Sequence, residues 1–522
     1  MTADTTIRAT DPSSGRTLEP HRETAIAELP AIAGEAAAAF ADERMRDADR
    51  RVAALRGAAA RLRADGESLR ALFQRESGLP AGRAEGELER TCFQLEALVD
   101  VVAAGAHLEP IVDRADPAAR PAPRPDLRRM LVPIGPVAVF GASNFPLAFG
   151  VAGGDTAAAL AAGCPVVVKG HPAQPGINAA VAGHVAAAVA EAGLPAGAFA
   201  HVQGASAELG AALVRAEPIA AVAFTGSTAG GRALFDVAAG RERPIPVFAE
   251  MGSVNPAVVT VGALRARGGA IADAFVAAIT GAAGQLCTKP GVVLVPAGEE
   301  GDRWCADVAA RLAAAEPLVM LTERMRDALA AQLAELSARD DVDPLTPPAA
   351  PSGPGFRVSA AAFQTSASAL ASAKELREER FGPFALLARY GSDEQLETAV
   401  AAFDGQLATA LHIDVASEPE RARRLTELLA ARCGRVVYDG FPTGVAVTWA
   451  MQHGGPYPST TAAGETSVGM TATRRFMRPV CWQGAPAELL PAALRDENPR
   501  GLWRRVDGRL TDAAIAPPAS AG

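Results

Sequence analysis

Cysteine is scarce in this chain. Six occur in 522 residues, at 92, 164, 287, 305, 433 and 481, and no two form a CxxC pair. None stands beside a histidine at ligand spacing, which argues against a disulfide framework or a zinc site. The seven histidines (21, 107, 171, 184, 201, 412 and 453) are equally dispersed, so no metal is expected. No apolar run approaches the roughly 18 residues that span a bilayer, and the N-terminus lacks the basic-then-apolar pattern of a signal peptide. The formal net charge of -9 leaves no basic stripe for nucleic acid. A soluble cytoplasmic protein of two or three domains, acting on a small molecule, is the expectation. Lysine is scarcer still. Only Lys169, Lys289 and Lys374 stand among the 50 basic residues, and the rest are arginine, which cannot reproduce a compact ammonium on a flexible stem.

What is present has a clear order. Residues 20–105 are rich in Ala, Arg, Glu and Leu at helical spacing and predict two or three amphipathic helices. The segment 113–127 is proline-rich and polar, an extended connector or arm. From Pro136 onward, short apolar runs alternate with helical patterns. PVAVFGAS, CPVVVKG, FAHVQG, IAAVAFTGS and PVFAEMG read as buried strands of a mostly parallel sheet. A second α/β region begins near Met251, with a small-residue helix, the strand GVVLVP and a long helical stretch from about Asp302 to Leu336. The Pro/Gly-rich segment 340–355 reads as a surface loop, and 466–483 as a strand.

Four places could carry chemistry. In GQLCTKP, Cys287 is either a buried apolar side chain, the commonest fate of a free cysteine, or a nucleophile needing a local activating field. Small residues upstream allow close approach to it. Glu250, in FAEMGSVNP, ends an apolar strand in a nearly uncharged window. It is a paired structural group or a general base with a raised pKa. Asn144, in GASNFPLAFG, could donate to an oxyanion or close an Asx-turn. FTGSTAGG follows a strand and opens a helix, a place where exposed amides suit a pyrophosphate.

The set NFP, VVKGHP, FTGST, AEMGSVNP, GQLCTKPG and EERFGP, in this order and spacing, resembles the NAD(P)-dependent aldehyde dehydrogenase superfamily, and NFPLAFGVAGGDTAAALAAGCPVVVKGHPAQPG, GFPTGVAV and HGGPYPST resemble its NADP-preferring branch. The resemblance implies an aldehyde dehydrogenase-like α/β fold. A Rossmann-like cofactor domain would take 1–112 and 132–249, an α/β catalytic domain 250–455, and a small β oligomerisation arm 113–131 with 456–490. A C-terminal extension would take 491–522. It implies a homodimer or homotetramer and NADP as cofactor, with NAD as the alternative. Cys287 would attack the aldehyde, Asn144 would hold the oxyanion, and Glu250 would activate the hydrolytic water. Lys169 would hold the adenosine ribose, Gly226, Ser227 and Gly230 the pyrophosphate, and Glu379 the nicotinamide ribose, with Phe381 beside the ring. Many NAD-preferring relatives have a glutamate three residues after the ribose lysine, whereas this chain has Pro172. That removes a carboxylate hostile to a 2′-phosphate, and His171 would assist. The expected substrate is the semialdehyde of 2-oxoglutarate (2,5-dioxopentanoate), with a fatty aldehyde as the alternative. A CoA-acylating relative would lack Glu250, and a cysteine hydrolase without nicotinamide would need a histidine partner for Cys287.

Overall fold

The computed structural model describes residues 5–346 and 351–516. Strands Val137–Phe140 and Val166–Lys169 are VAVF and VVVK, buried at every position. Continuous apolar runs of this kind suit a parallel strand covered on both faces. With Phe199–Val202, Ala221–Thr225 and Val247–Glu250 they form a five-stranded, all-parallel sheet. In spatial order it runs 199–202, 166–169, 137–140, 221–225, 247–250. The chain therefore winds outward from Val137–Phe140 in one direction and then restarts on its other side. Such a reversal opens a crevice beyond the carboxyl ends of the strands, the usual ligand position in an open α/β sheet.

The N-terminal region forms four α-helices, Leu29–Ala41, Ala48–Ala64, Gly66–Ser77 and Ala81–Ala103, one more than the helical spacing predicts. The second and third are separated by Asp65 alone, so composition does not reveal the break. The last three pack with helices Gly154–Ala162 and Pro175–Glu191 against one face of this sheet, whereas Leu29–Ala41 lies on the other face with Leu209 and Leu213. Glu76 is buried but not idle. Its carboxylate accepts from the N–H groups of Gly176 and Ile177 (both 2.8 Å), the first turn of Pro175–Glu191, where a negative charge complements the helix dipole.

A seven-stranded sheet carries the second α/β region, in the order 342–344, 361–366, 384–390, 292–296, 257–259, 406–412, 433–438. All its pairings are parallel except that of Val342–Pro344. The expected helical stretch from Asp302 to Leu336 is two helices, Glu299–Ala313 and Glu323–Ser337, parted by the short strand Leu318–Val319. Pro317 cannot continue a helix interior. Segment 340–355 begins with the strand Val342–Pro344, and its residues 347–350 lie outside the described residues. The expected strand over 466–483 starts late: Met470–Phe476 is a 3-10 turn and only Met477–Gln483 is extended. That strand pairs antiparallel with Leu127–Pro133 in a third sheet, completed by Ile111–Asp113, Arg504–Val506 and Arg509–Thr511.

Two buried histidines make the fold acid-sensitive. Burial holds His107 down to about 3, helped by Arg51, and His412 down to about 4 against an ordinary value of 6.5. An unfolded chain takes up protons at these sites below pH 6.5, and the folded chain refuses them until about pH 4. Their stabilisation is thus present above pH 6.5 and lost as pH falls towards 4. A melting temperature that declines across this window is expected, measured by thermal unfolding against pH, with about two protons bound on unfolding from these sites. A flat profile would contradict the burial of both rings.

Candidate active site

Each site residue sits where a sheet ends. Asn144 follows Val137–Phe140, Lys169 ends Val166–Lys169, Gly226 and Ser227 follow Ala221–Thr225, and Glu250 ends Val247–Glu250. Asn144 is held by a loop that is itself pinned. Buried Glu87 accepts from the N–H groups of Leu147 (2.9 Å) and Ala148 (3.2 Å). Gly150 allows the tight turn, because a Cβ there would stand 1.9 Å from the Pro146 carbonyl oxygen.

Cys287 arrives from the opposite direction. Helix Val261–Thr280 gives way to a turn in which Ala282, Ala283 and Gly284 all have positive φ (49°, 54° and 66°). A left-handed alanine costs about 1–2 kcal/mol, so surrounding contacts must hold this turn. At Gly284 a Cβ would stand 2.2 Å from the Gly382 carbonyl oxygen, which shows how closely it presses on the RFGP loop. Beyond the thiol, Asn255 Nδ2 donates to the carbonyls of Cys287 (2.9 Å) and Lys289 (3.1 Å). The Lys289 ammonium donates to the carbonyls of Arg380 (3.1 Å) and Phe384 (2.6 Å). That is the work of the second lysine: it ties the Cys287 loop to the next one.

Cys287 Sγ lies 3.6 Å from His453 Nε2, and His453 Nε2 lies 2.9 Å from Glu250 Oε1. Ser467 Oγ donates to Glu250 Oε2 (2.6 Å). The dispersal of cysteine and histidine along the sequence therefore conceals a group. The ligating atoms of Glu250, Cys287 and His453 lie within 4.8 Å of one another, a set able to hold a metal ion. The electrostatics differ from expectation in one respect. Burial pushes the Glu250 carboxyl up, but His453 and Ser467 outweigh it and leave the group below its ordinary value. Of the two alternatives the sequence leaves open, Glu250 is the paired group and not the raised acid. Burial, and then the Glu250 charge, drive the Cys287 thiol well up. The resting pair is accordingly a thiol beside a carboxylate.

Asn144 Nδ2 donates to the Gln285 carbonyl (3.1 Å), which places the amide beside the Cys287 loop with its second N–H in hand. The Cys287 N–H has no acceptor among the described residues. Asn144, Glu250 and Cys287 are thus brought together, with His453 as the member the sequence did not assign.

The crevice residues fit a dinucleotide, with adjustments. The Lys169 ammonium is buried and donates to the Gly204 carbonyl (2.9 Å), leaving further N–H donors for hydroxyl groups. Burial holds it down to about 8, with Glu23 the carboxylate opposing this. His171 Nδ1 accepts from Ala173 N–H (3.2 Å). Burial and then Lys169 hold its ring down to about 4. The amides at the helix start are also partly spent. Gly226 N–H donates to the Glu250 carbonyl (3.1 Å) and Gly230 N–H to Ser227 Oγ (3.2 Å). The free donors are the amides of Ser227, Thr228 and Ala229, at the start of helix Thr228–Ala239. Gly226 and Gly230 instead make room, since a Cβ at either would meet the Phe224 ring. Glu379 comes near the crevice, where a Cβ on Gly252 would be 2.4 Å from its Oε2. Burial pushes this carboxyl up, opposed by Lys289. Phe381 is half-buried on the loop beside it.

The family model for "Aldehyde dehydrogenase family" matches residues 1–318. The chain is 42% identical over 516 residues to alpha-ketoglutaric semialdehyde dehydrogenase 2 of Azospirillum brasilense, covering 97% of this chain and 96% of that protein. The chain belongs to the aldehyde dehydrogenase family. Another aldehyde dehydrogenase, alpha-ketoglutaric semialdehyde dehydrogenase of Acinetobacter baylyi, is 39% identical over 450 residues, covering 85% and 84%. Among solved structures, glyceraldehyde-3-phosphate dehydrogenase of Methanocaldococcus jannaschii complexed with NADP superposes with a TM-score of 0.77 at 17% identity, covering 93% and 100%. 3,6-anhydro-L-galactose dehydrogenase superposes at 0.78 and 21%, covering 92% and 97%. These likenesses establish the aldehyde dehydrogenase fold. Among the described residues no helix is long and apolar enough to cross a membrane.

Proposed function

We propose that this aldehyde dehydrogenase oxidises the semialdehyde of 2-oxoglutarate to the dicarboxylate with NADP+. The observation that carries the hydrolytic half of the reading is a Glu250 carboxylate, charged at neutral pH, within the same buried group as Cys287. Cys287 Sγ attacks the aldehyde carbon as its proton leaves towards His453, 3.6 Å away. Asn144 Nδ2 and the Cys287 N–H donate to the oxyanion that forms, and a donor of this kind is worth about 2.7–4 kcal/mol in the transition state. A nicotinamide nucleotide bound at Lys169, the Ser227–Ala229 amides, Glu379 and Phe381 would supply the hydride acceptor. Glu250 then takes a proton from the water that hydrolyses the Cys287 thioester. A nucleophile is useful here because it divides oxidation and hydrolysis into two easier steps.

The parallel sheet and its helices serve the cofactor in this reading, and the seven-stranded sheet presents the nucleophile. The third sheet forms an arm for a homodimer or homotetramer, supported by exposed Leu489, Trp503 and Leu510 on its C-terminal additions. A second reading, a fatty aldehyde, draws support from the apolar group Phe145, Phe149, Val445 and Met451 near His453. Initial rates of cofactor reduction separate the readings. The expected result is a higher kcat/KM for 2,5-dioxopentanoate than for decanal, and for NADP+ than for NAD+. Decanal as the better substrate would overturn the first reading.

A further inference from the structure

Arg90 stands on helix Ala81–Ala103 and reaches the apolar group beside the nucleophile. Its guanidinium carbon lies 5.8 Å from the centroid of the Phe149 ring. The Phe149 ring is 6.1 Å from that of His453, whose Nε2 is 3.6 Å from Cys287 Sγ. Arg90 is thus one aromatic layer away from the reacting group, and its charge acts on both Cys287 and Glu250.

The unusual feature is what Arg90 does not bond. Its Nη1 donates to the Val445 carbonyl (2.5 Å), while Nε and Nη2 are both buried with no hydrogen-bond partner. Among the described residues it forms no ion pair. The nearest candidate, Glu87, is already paired with Arg83 at 3.1 Å and accepts two backbone N–H groups. A buried cation without a partner is costly, and natural proteins rarely keep one without an anion to meet it. Nε and Nη2 are also the two nitrogens whose N–H bonds point from one edge of the guanidinium. That edge matches the two oxygens of a carboxylate.

Neighbouring arginines are not available in this way. Arg83 is committed to Glu87 and lies over Phe145, 4.3 Å from the ring centroid. Arg435 gives both terminal nitrogens to the carbonyls of Gly444 and Pro442, so only Nε remains. It braces the loop that carries Val445.

We propose that the Nε–Nη2 edge of Arg90 is the subsite for the carboxylate of the substrate, so that Arg90 selects short aldehydes that end in an anion. This rests on the dehydrogenase reading, in which the aldehyde carbon is bonded to Cys287. The remainder of a five-carbon oxo acid then extends past Phe149, and its terminal carboxylate supplies the partner that the arginine edge lacks. Phe145, Phe149 and Val445 wall the passage. They accept a neutral chain of the same length but give it no partner for Arg90.

The test compares kcat/KM for 2,5-dioxopentanoate with kcat/KM for pentanal, a neutral aldehyde of equal length, in the full-length protein. In Arg90→Gln the ratio of the two should fall about thirtyfold or more, chiefly through KM for the anion. In Arg90→Lys, which keeps the charge and loses the planar fork, it should fall about fivefold or more. Arg90→Lys decides the matter if Arg90→Gln does not fold. A ratio unchanged in the folded variants, with both rates lowered together, would make Arg90 a packing residue and overturn the proposal. So would a wild-type enzyme that prefers pentanal. Failure of the dehydrogenase reading looks different: Cys287→Ala would then retain aldehyde oxidation, whatever the ratio does.

Discussion

Glu250→Gln is expected to produce one rapid equivalent of NADPH per active site and then almost nothing. The amide keeps the shape of the carboxylate and can still bond Ser467 and His453, which contact the two Glu250 oxygens at 2.6 and 2.9 Å. It cannot accept a proton, so water attack on the thioester loses its base, a loss of about 10²–10⁴ in steady-state turnover. The first half-reaction should survive. Glu250 is one of the charges that push the Cys287 thiol up, and removing it makes the thiolate easier to form. Stopped-flow absorbance of NADPH reads the burst, and intact-mass measurement reads an acyl group retained on the protein. Undiminished steady-state turnover, or disappearance of the burst, would refute the role assigned to Glu250.

Cys287→Ala should lose dehydrogenase activity by about 10⁵-fold or more, since no neighbouring group can replace the nucleophile. Stability should change little, within about 1 kcal/mol, because the half-buried sulfur has His453 as its side-chain neighbour while Asn255 holds the loop through a backbone carbonyl. NADPH binding, followed by its fluorescence, should persist. An alanine variant with the wild-type rate would move the chemistry elsewhere. One that also loses NADPH binding and melts early would show instead that the loop collapses without its sulfur.

The parallel strands were legible in the sequence because each is a short apolar run with buried partners on both faces, VVVK being an example. The same uniformity hid other features. A single residue, Asp65, separates two N-terminal helices, and no change of composition marks the boundary. Local context marked Cys287, Glu250 and Asn144 as candidates with a structural alternative each, and the family resemblance assigned their roles. Their partners could not be found by spacing. His453 is 166 positions from Cys287, and Ser467 is 217 from Glu250. The direction of the Glu250 shift depends on both of these, so the sequence left open whether the group is paired or raised. Arg90 was equally invisible among so many arginines. It is distinguished only by two bonds it does not make, and its one anchor, Val445, is 355 positions away.

The scarcity of lysine has a practical consequence once the three are seen in place. Lys374 is exposed, whereas burial holds both Lys289 and Lys169 down to about 8; the Lys289 ammonium is tied to two carbonyls, and Lys169 stands at the crevice with one carbonyl partner. A neutral amine is the reactive form. Amine chemistry on this protein is therefore close to a single-site probe. A reagent that enters the crevice meets the Lys169 amino group, while exposed Lys374 serves as the internal reference on the same chain. In a protein with dozens of surface lysines the signal from a cofactor lysine would be lost in the background. Here the drift towards arginine has cleared that background away.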